Sequence, residues 1–513
     1  MHDDNQRIYY SVMKLSIDDI VKALGGEAHI AKDADVNADL TSVVLDSRLV
    51  TEGGVFVAQK GERVDGHSFI GQVFEKGVSL VICEMDPEQV KVVFGTDPAS
   101  WGSYIVVKDS LTALKQIAAC YRNKLSIPFV GITGSVGKTS TKEFIAGVLS
   151  EKYNTLKTEG NYNNEIGVPL TLLKIREEHE AAVIEMGISD FGEMTRLTEM
   201  VRPDVAVITN IGQCHLENLK TRDGILKAKT EIFKGLTENG RVVLFGGDDK
   251  LITVGAVNDK EPLYFGETGS PKALMTKIQE TEGKGLLGTQ AKLVLNFEGR
   301  TVNTGENVSV HGEIIDVRVP LPGYHMVINA AAASSVALLL GLTPTEIKAG
   351  IENMGTIAGR NNIVTVGDIT LIDDCYNANP VSMKSSIDLL GLAEGVKVAI
   401  LGDMFELGSN EKNFHKEVGE YAVRKGVEKL YCIGALSENM REGAREAFEE
   451  LRKAGENVGT DYIGYFETRD KFLEALREDV SKRELIPAGS AVLVKASHGM
   501  HFEEIVKIFK ELF

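Results

Sequence analysis

The chain has 513 residues, 43% of them hydrophobic and 25% charged, a composition that excludes a disordered or fibrous protein. That length exceeds what one hydrophobic core supports, so roughly two to four domains are expected, with three the best fit. A formal charge of −18 repels phosphate backbones and anionic lipid, which argues against a broad nucleic-acid or membrane surface. Any anionic ligand must then be held by a local device such as a helix N-terminus.

The cysteines (Cys83, Cys120, Cys214, Cys375 and Cys432) are odd in number, far apart and without a CxxC pair, so neither a disulfide framework nor a zinc knuckle is suggested. A reducing, cytoplasmic setting is expected. The opening MHDDNQRIYYSV is polar and acidic where a secretory signal is basic and then apolar. Because MKLSIDDI from Met13 reads like a natural start, residues 1–12 are either a loose extension or part of the first unit. The most apolar stretch, 328–342, is interrupted by Ser334 and Ser335 and is too short to cross a bilayer, so no membrane insertion is expected.

In chain order, residues 41–45, 54–58, 79–83 and 103–107 predict short strands, and 111–124 predicts a helix closing a first unit. From Pro128 the pattern changes to apolar runs alternating with helical stretches. PFVGITG precedes KEFIAGVLSE, AAVIEMG precedes FGEMTRLTEM, and DVAVITNIG precedes one long helical stretch through Lys229. RVVLFGG and PLYFGE complete the series, which predicts a parallel sheet covered on both faces. Between 291 and 321 strict alternation (KLVLNF, IIDVRVPL) predicts a small antiparallel appendage. A polar linker around 357–362 then leads to ITLIDD, KVAILGD, KLYCIG and AVLVKAS, a second open α/β sheet. The predicted class is α/β in three domains. These are a small N-terminal α/β domain (13–124), a central P-loop domain with its appendage (125–357) and a C-terminal Rossmann-like domain (358–513).

Gly131-Ile-Thr-Gly134-Ser-Val-Gly137-Lys138-Thr139 matches G-x-x-x-x-G-K-[ST] between an apolar run and a helix, where that motif must lie. Its backbone N–H groups are suited to cradle a triphosphate, with Lys138 on the outer phosphates and the Thr139 hydroxyl on Mg²⁺. Ligands of an open parallel sheet gather beyond the strand carboxyl ends. Glu185, which ends AAVIEMG, and His215, beyond DVAVITNIG, are therefore candidate holders of a divalent ion. Asn161-Tyr162-Asn163-Asn164 reads on its own as a self-capping turn, and Lys229 as a surface lysine on an amphipathic helix. Asp373, Asp374, Asn377, Asn379, Asp403, Lys495 and Ser497 follow strands of the third unit and predict a second polar rim facing the P-loop across a cleft.

GITGSVGKTSTKE, TEGNYNNEIGVPLTLL, VIEMG, NIGQCHLE and GYHMVINAAAA, in this order, resemble the ATP-dependent Mur ligases, which assemble the peptide of bacterial cell-wall precursors. DDCYNANPVSM, LGDMFELG and AKTEIF resemble the branch that joins D-alanyl-D-alanine to UDP-N-acetylmuramoyl-tripeptide, and there is no DNPR segment.

The resemblance implies ATP contacts at Gly134, Ser135, Gly137, Lys138, Thr139, Ser140, His325, Asn329, Arg360 and Asp374. It implies metal contacts at Thr139, Glu185, His215 and Lys229, the last as an N6-carboxylysine, and so overturns the surface reading of Lys229. Catalytic roles fall to Lys138, Lys229 and His215. Substrate contacts fall to Ser47 and Arg48 for the uridine nucleotide, Thr158 and Asn161 for the muramoyl peptide, and Asn377 and Asn379 for the dipeptide. A monomer is expected, with the oligomeric state left open by the sequence. Met326, Ala496 and His498 depart from the family pattern, where Asn, Gly and Arg are common. A histidine is only partly charged near neutral pH, so His498 is not assigned the arginine's role. Competing readings are another Mur or folylpolyglutamate-type ligase and a P-loop NTPase regulatory module. Whether the third residue of the tripeptide is diaminopimelate or lysine stays open.

Overall fold

The structure, a computed structural model, describes residues 12–25, 28–61, 64–355, 362–456 and 458–513. The proposed 1–12 extension, all but Val12, and the 357–362 linker, all but Asn362, lie outside them.

Each predicted N-terminal run contains a strand. β1 (Ala28–His29), β2 (Val43–Val44), β3 (Val55–Val57), β4 (Leu80–Cys83) and β5 (Tyr104–Val106) form a sheet of order β1-β5-β4-β3-β2, parallel except where β1 meets β5. The helix Ser110–Asn123 does more than close this unit. Its Tyr121 hydroxyl donates to Ile175 O at 2.7 Å, and Arg122 Nε donates to Val201 O at 2.8 Å with the guanidinium over the Phe129 ring. One apolar core consequently runs from Met13 through Tyr264 and joins the first unit to the second.

The central sheet has nine strands. These are β6 (Phe129–Thr133), β7 (Thr155–Lys157), β8 (Ala181–Glu185), β9 (Val205–Ile208), β10 (Arg241–Phe245), β11 (Leu263–Glu267), β12 (Leu274–Gly283), β13 (Thr289–Arg300) and β14 (Asn307–Val319), in the order β14-β13-β12-β11-β10-β9-β6-β8-β7. β6, β8 and β9 are buried end to end, as strands covered on both faces must be, and their sequences are continuously apolar. β13 alternates because one of its faces is covered and the other is wet. The appendage is not separate and begins earlier than predicted. β12 pairs parallel with β11 and antiparallel with β13, so the hairpin simply continues the sheet. The expected long helix through Lys229 is two helices, Leu216–Leu219 and Arg222–Thr230. Lys220 turns left-handed at φ 64°, and the Thr221 hydroxyl caps the second helix through Gly224 N.

β15 (Asn362–Val366), β16 (Ile369–Asp373), β17 (Lys397–Gly402), β18 (Lys429–Ile433), β19 (Tyr462–Phe466) and β20 (Ala491–Lys495) form the third sheet, ordered β15-β16-β20-β17-β18-β19 and parallel except for β15. The two edge strands, β15 and β19, were not predicted. Both are only partly buried; β15 is interrupted by Thr365, and β19, Tyr-Ile-Gly-Tyr-Phe, by Gly464. Among the described residues no helix is long and apolar enough to cross a membrane.

Candidate functional site

β6 lies between β8 and β9 although the chain visits β7 first, so the strand order reverses beside the carboxyl end of β6 and opens a crevice there. The P-loop fills it. Gly134 (φ 150°) accepts no side chain, since a Cβ there would stand 1.9 Å from Thr209 Oγ1. Gly137 (φ 80°) is the N-cap of the helix Lys138–Leu149, and no side chain caps that helix. Its first turn is therefore left to an anion. Lys138 Nζ donates to Gly134 O at 3.0 Å, which holds the ammonium over the loop.

The loop is stapled to the segment leaving β9. Ser135 N donates to Asn210 O, Val136 N donates to Asn210 Oδ1 at 2.9 Å, and the Thr209 hydroxyl donates to Val136 O at 2.6 Å. Ser135 Oγ accepts from Gly212 N and from the Cys214 thiol. This lattice fixes the path to His215, which turns left-handed at φ 49°. His215 Nδ1 stands 2.6 Å from Glu406 Oε2 of the C-terminal unit, a close polar contact without the alignment of a hydrogen bond. That contact holds the Glu406 carboxyl below its ordinary range.

Glu185, at the end of β8, is 1% exposed. Its Oε1 accepts from Thr139 Oγ1 at 3.1 Å and from Asn163 Nδ2 at 2.8 Å, while Oε2 is buried without a hydrogen bond. Lys142 Nζ lies 3.7 Å from that oxygen. Asn163, which the sequence alone reads as part of a self-capping turn, instead donates to this strand-end carboxylate, and Lys142 beside it was missed.

Lys229 is not a surface lysine: it is 1% exposed. Burial pushes its ammonium down to about 8, with Cys214 opposing the shift and Lys138 adding to it.

A cavity of about 720 Å³ joins the P-loop, Glu185 and His215 to the C-terminal rim, and Lys229 is not among the residues that line it. Ser135, Gly137, Lys138, Thr139 and Ser140 line it from the P-loop, and Asn161, Glu185 and His215 from the neighbouring strand ends. His325 and Asn329 line it from the helix Tyr324–Leu339, beside Met326, Ile328, Phe245 and Phe265. Asn329 Oδ1 accepts from the Thr141 hydroxyl at 3.0 Å, and Asn329 Nδ2 donates to Met326 Sδ. Burial lowers the pKa of His325, which favours a neutral imidazole.

Across the cleft stand Asp374, Asn377 and Asn379 after β16 and Lys495 at the end of β20. These strands are neighbours, so Lys495 Nζ reaches Asp374 Oδ2 at 2.5 Å, and the Ser386 hydroxyl donates to the same oxygen. Asn379 Oδ1 is engaged in capping the helix Pro380–Gly391.

Several predicted residues fall elsewhere. Thr158 is buried, and its hydroxyl accepts from Glu185 N, so it supports the strand end without lining the cavity. Asp403 accepts from Ser437 N and Oγ, Ser497 Oγ accepts from Phe405 N, and Asp373 accepts from Cys375; none of the three lines the cavity. Ser47 is buried and Arg48 is exposed on Asp46, both after β2 and outside the cavity. Arg360 lies outside the described residues.

Among the described residues, no group of three or more His, Cys, Asp and Glu side chains is placed to hold a metal by itself. Glu185 with its orphaned oxygen, the Thr139 hydroxyl and His215 still fit Mg²⁺, which is commonly held by one or two carboxylates and completed by substrate phosphates.

Family models match three stretches of the chain: Mur ligase family, catalytic domain (39–122); Mur ligase middle domain (132–337); and Mur ligase, glutamate ligase domain (359–498). The chain is 36% identical to UDP-N-acetylmuramoyl-tripeptide–D-alanyl-D-alanine ligase of Bacillus subtilis, over 91% of this chain and 92% of that protein. Its fold matches a crystal structure of MurF from Acinetobacter baumannii with TM-score 0.81 at 29% identity, covering 98% and 100% of the two chains. It also matches MurF ligase from Thermotoga maritima in complex with ADP, with TM-score 0.72 at 28% identity, covering 92% and 97%. These likenesses and the P-loop cleft make the chain an α/β ligase. It belongs to the Mur ligase family.

Proposed function

We propose that the chain joins D-alanyl-D-alanine to UDP-N-acetylmuramoyl-tripeptide at the expense of ATP, giving ADP, phosphate and the UDP-linked pentapeptide. The observation that carries this reading is the single cavity in which the P-loop, Asn161 and the Asp374–Lys495 rim face one another. One space of that kind suits a nucleotide, an acid and an amine together. The relatives named above support the choice of substrates.

In this reading residues 13–124 bind the UDP moiety through Ser47 and Arg48, 125–357 bind ATP, and 358–513 present the dipeptide beside Asn377 and Asn379.

Oxide is too poor a leaving group for direct amide formation, so the tripeptide carboxylate attacks the γ-phosphorus, the bond to the β,γ-bridging oxygen breaks, and ADP leaves. The dipeptide's neutral amine then attacks the acyl phosphate. The C–N bond forms, the C–O bond to phosphate breaks, and the amine proton is lost. Two anions meet in the first step, so charge neutralisation is the main demand on the protein. Lys138 and the uncapped helix N-terminus meet it at the phosphates. Thr139, Glu185 and His215 would hold Mg²⁺, which would supply Lewis-acid stabilisation of the transferring phosphoryl group. Lys229, with its depressed pKa, is poised to add CO₂ through its neutral amine, losing one N–H proton and gaining a carboxylate as a further anionic donor. In this reading His325 and Asn329 serve the base, and Asp374 serves the phosphates or ribose from the opposite rim.

Mass analysis after mixing the protein with ATP, Mg²⁺, the UDP-tripeptide and D-alanyl-D-alanine tests the reading. A UDP-linked pentapeptide is expected; ATP hydrolysis without it would leave a P-loop NTPase instead.

A further inference from the structure

Glu406 lies opposite the central unit on a loop that is unusually well anchored for one so exposed. Three bonds hold its neighbours. Asp403 Oδ1 accepts from Ser437 N at 2.7 Å, Met404 N donates to His415 Nε2 at 2.9 Å, and Phe405 N donates to Ser497 Oγ at 2.9 Å. Glu406 itself is left-handed at φ 61°, a conformation disfavoured for a residue with a Cβ, and this turn carries its carboxylate to within 2.6 Å of His215 Nδ1. Beside this contact Leu216 packs against the apolar core of the C-terminal unit. A metal-binding histidine characteristically donates its second ring N–H to a carboxylate, which fixes both tautomer and ring plane; here the two atoms are within reach of that bond, and a small rotation of the ring would align it.

We propose that Glu406 is a positioning residue for His215, so that the metal site of the central unit is complete only when the C-terminal unit is seated against it. Nδ1 turned to the carboxylate leaves Nε2 for the cavity that His215 lines. Seating of the third unit is thereby coupled to metal affinity through a side chain that touches neither metal nor substrate. The inference rests on the reading of His215 as a metal ligand, and its test separates the two.

The measurement is Mn²⁺ titration, followed by electron paramagnetic resonance, of the full chain loaded with the β,γ-imido analogue of ATP. His215→Ala and Glu406→Ala are each expected to weaken Mn²⁺ binding about tenfold or more. The double variant is expected to lose no more than His215→Ala alone. Glu406→Gly relieves the left-handed backbone, so its Tm should match or exceed that of the parent while Mn²⁺ binding still falls; a purely structural role predicts no such split. Loss of affinity in His215→Ala with unchanged affinity in Glu406→Ala and Glu406→Gly overturns the proposal alone. Unchanged affinity in His215→Ala overturns the metal reading beneath it.

Discussion

Lys142 Nζ and Glu185 Oε2 lie 3.7 Å apart with both side chains 1% exposed, a buried ion pair that ties the P-loop helix to the end of β8. Glu143 Oε1 lies 3.3 Å from the same ammonium, and Lys157 in turn pairs with Glu143. Removing one member of such a pair leaves an uncompensated buried charge, which costs more than the pair itself contributes. Lys142→Met is therefore expected to lose about 3 kcal/mol of stability. Urea denaturation checks this. Adding Glu185→Leu should recover much of that loss while leaving the protein inactive, and a single variant as stable as the parent would contradict the pairing.

Lys229 makes the opposite prediction. Its pKa falls from 10.5 in the unfolded chain to about 8 in the folded one, so the unfolded state binds more protons between those values and stability rises with pH across that window. Below pH 8 the buried ammonium costs roughly 3 kcal/mol, by the conversion of 1.36 kcal/mol per pKa unit. In CO₂-depleted buffer Lys229→Met should be the more stable protein at pH 7, and the gain should vanish as the pH approaches 10.5. Activity should be lost throughout. Denaturant titrations at the two pH values provide the measurement.

The same amine links activity to pH. Addition of CO₂ and attack by the dipeptide both need an unprotonated nitrogen, so turnover should climb from pH 7 into the mildly alkaline range. A profile with its maximum below pH 6 is incompatible with either step. Lys229→Ala should be inactive and should regain part of its turnover when short carboxylic acids are supplied. An inert but folded variant would remove the carboxylysine from the account.

The P-loop was legible because its chemistry is contiguous: nine consecutive residues carry the turn, the cation and the hydroxyl, and the apolar run before them identifies the strand. Glu185 and His215 could be read because strand ends of a parallel sheet converge. The Lys142–Glu185 pair could not, since nothing along the chain indicates which lysine of an amphipathic helix turns inward. Lys229 was misread for a related reason. Its helix has nine residues, with Arg222, Lys227 and Lys229 all on it, and only the tertiary fold buries Lys229 while leaving Lys227 wet. Asp403 and Ser497 show the converse error. Polar residues at strand ends resemble ligand contacts, yet here they anchor the Glu406 loop. The edge strand β15 escaped because an exposed edge need not be apolar, whereas β19, Tyr-Ile-Gly-Tyr-Phe, carries an aromatic signal that was overlooked.

Lys138→Ala is expected to lower turnover by at least about a thousandfold, the upper range for deleting one oriented donor to developing charge. The helix N-terminus persists in that variant, so nucleotide binding should weaken less than kcat. Steady-state kinetics combined with equilibrium nucleotide binding separates the two. Turnover within tenfold of the parent would remove Lys138 from phosphoryl transfer.

The central claim is that the cavity directs the γ-phosphorus of ATP onto the tripeptide's terminal carboxylate, and isotope transfer tests it most directly. With both oxygens of that carboxylate labelled with ¹⁸O, the phosphate released during turnover should carry one label, because the attacking oxygen leaves with phosphorus when the amide forms. Unlabelled phosphate, or phosphate released at the same rate without the tripeptide, would contradict the account.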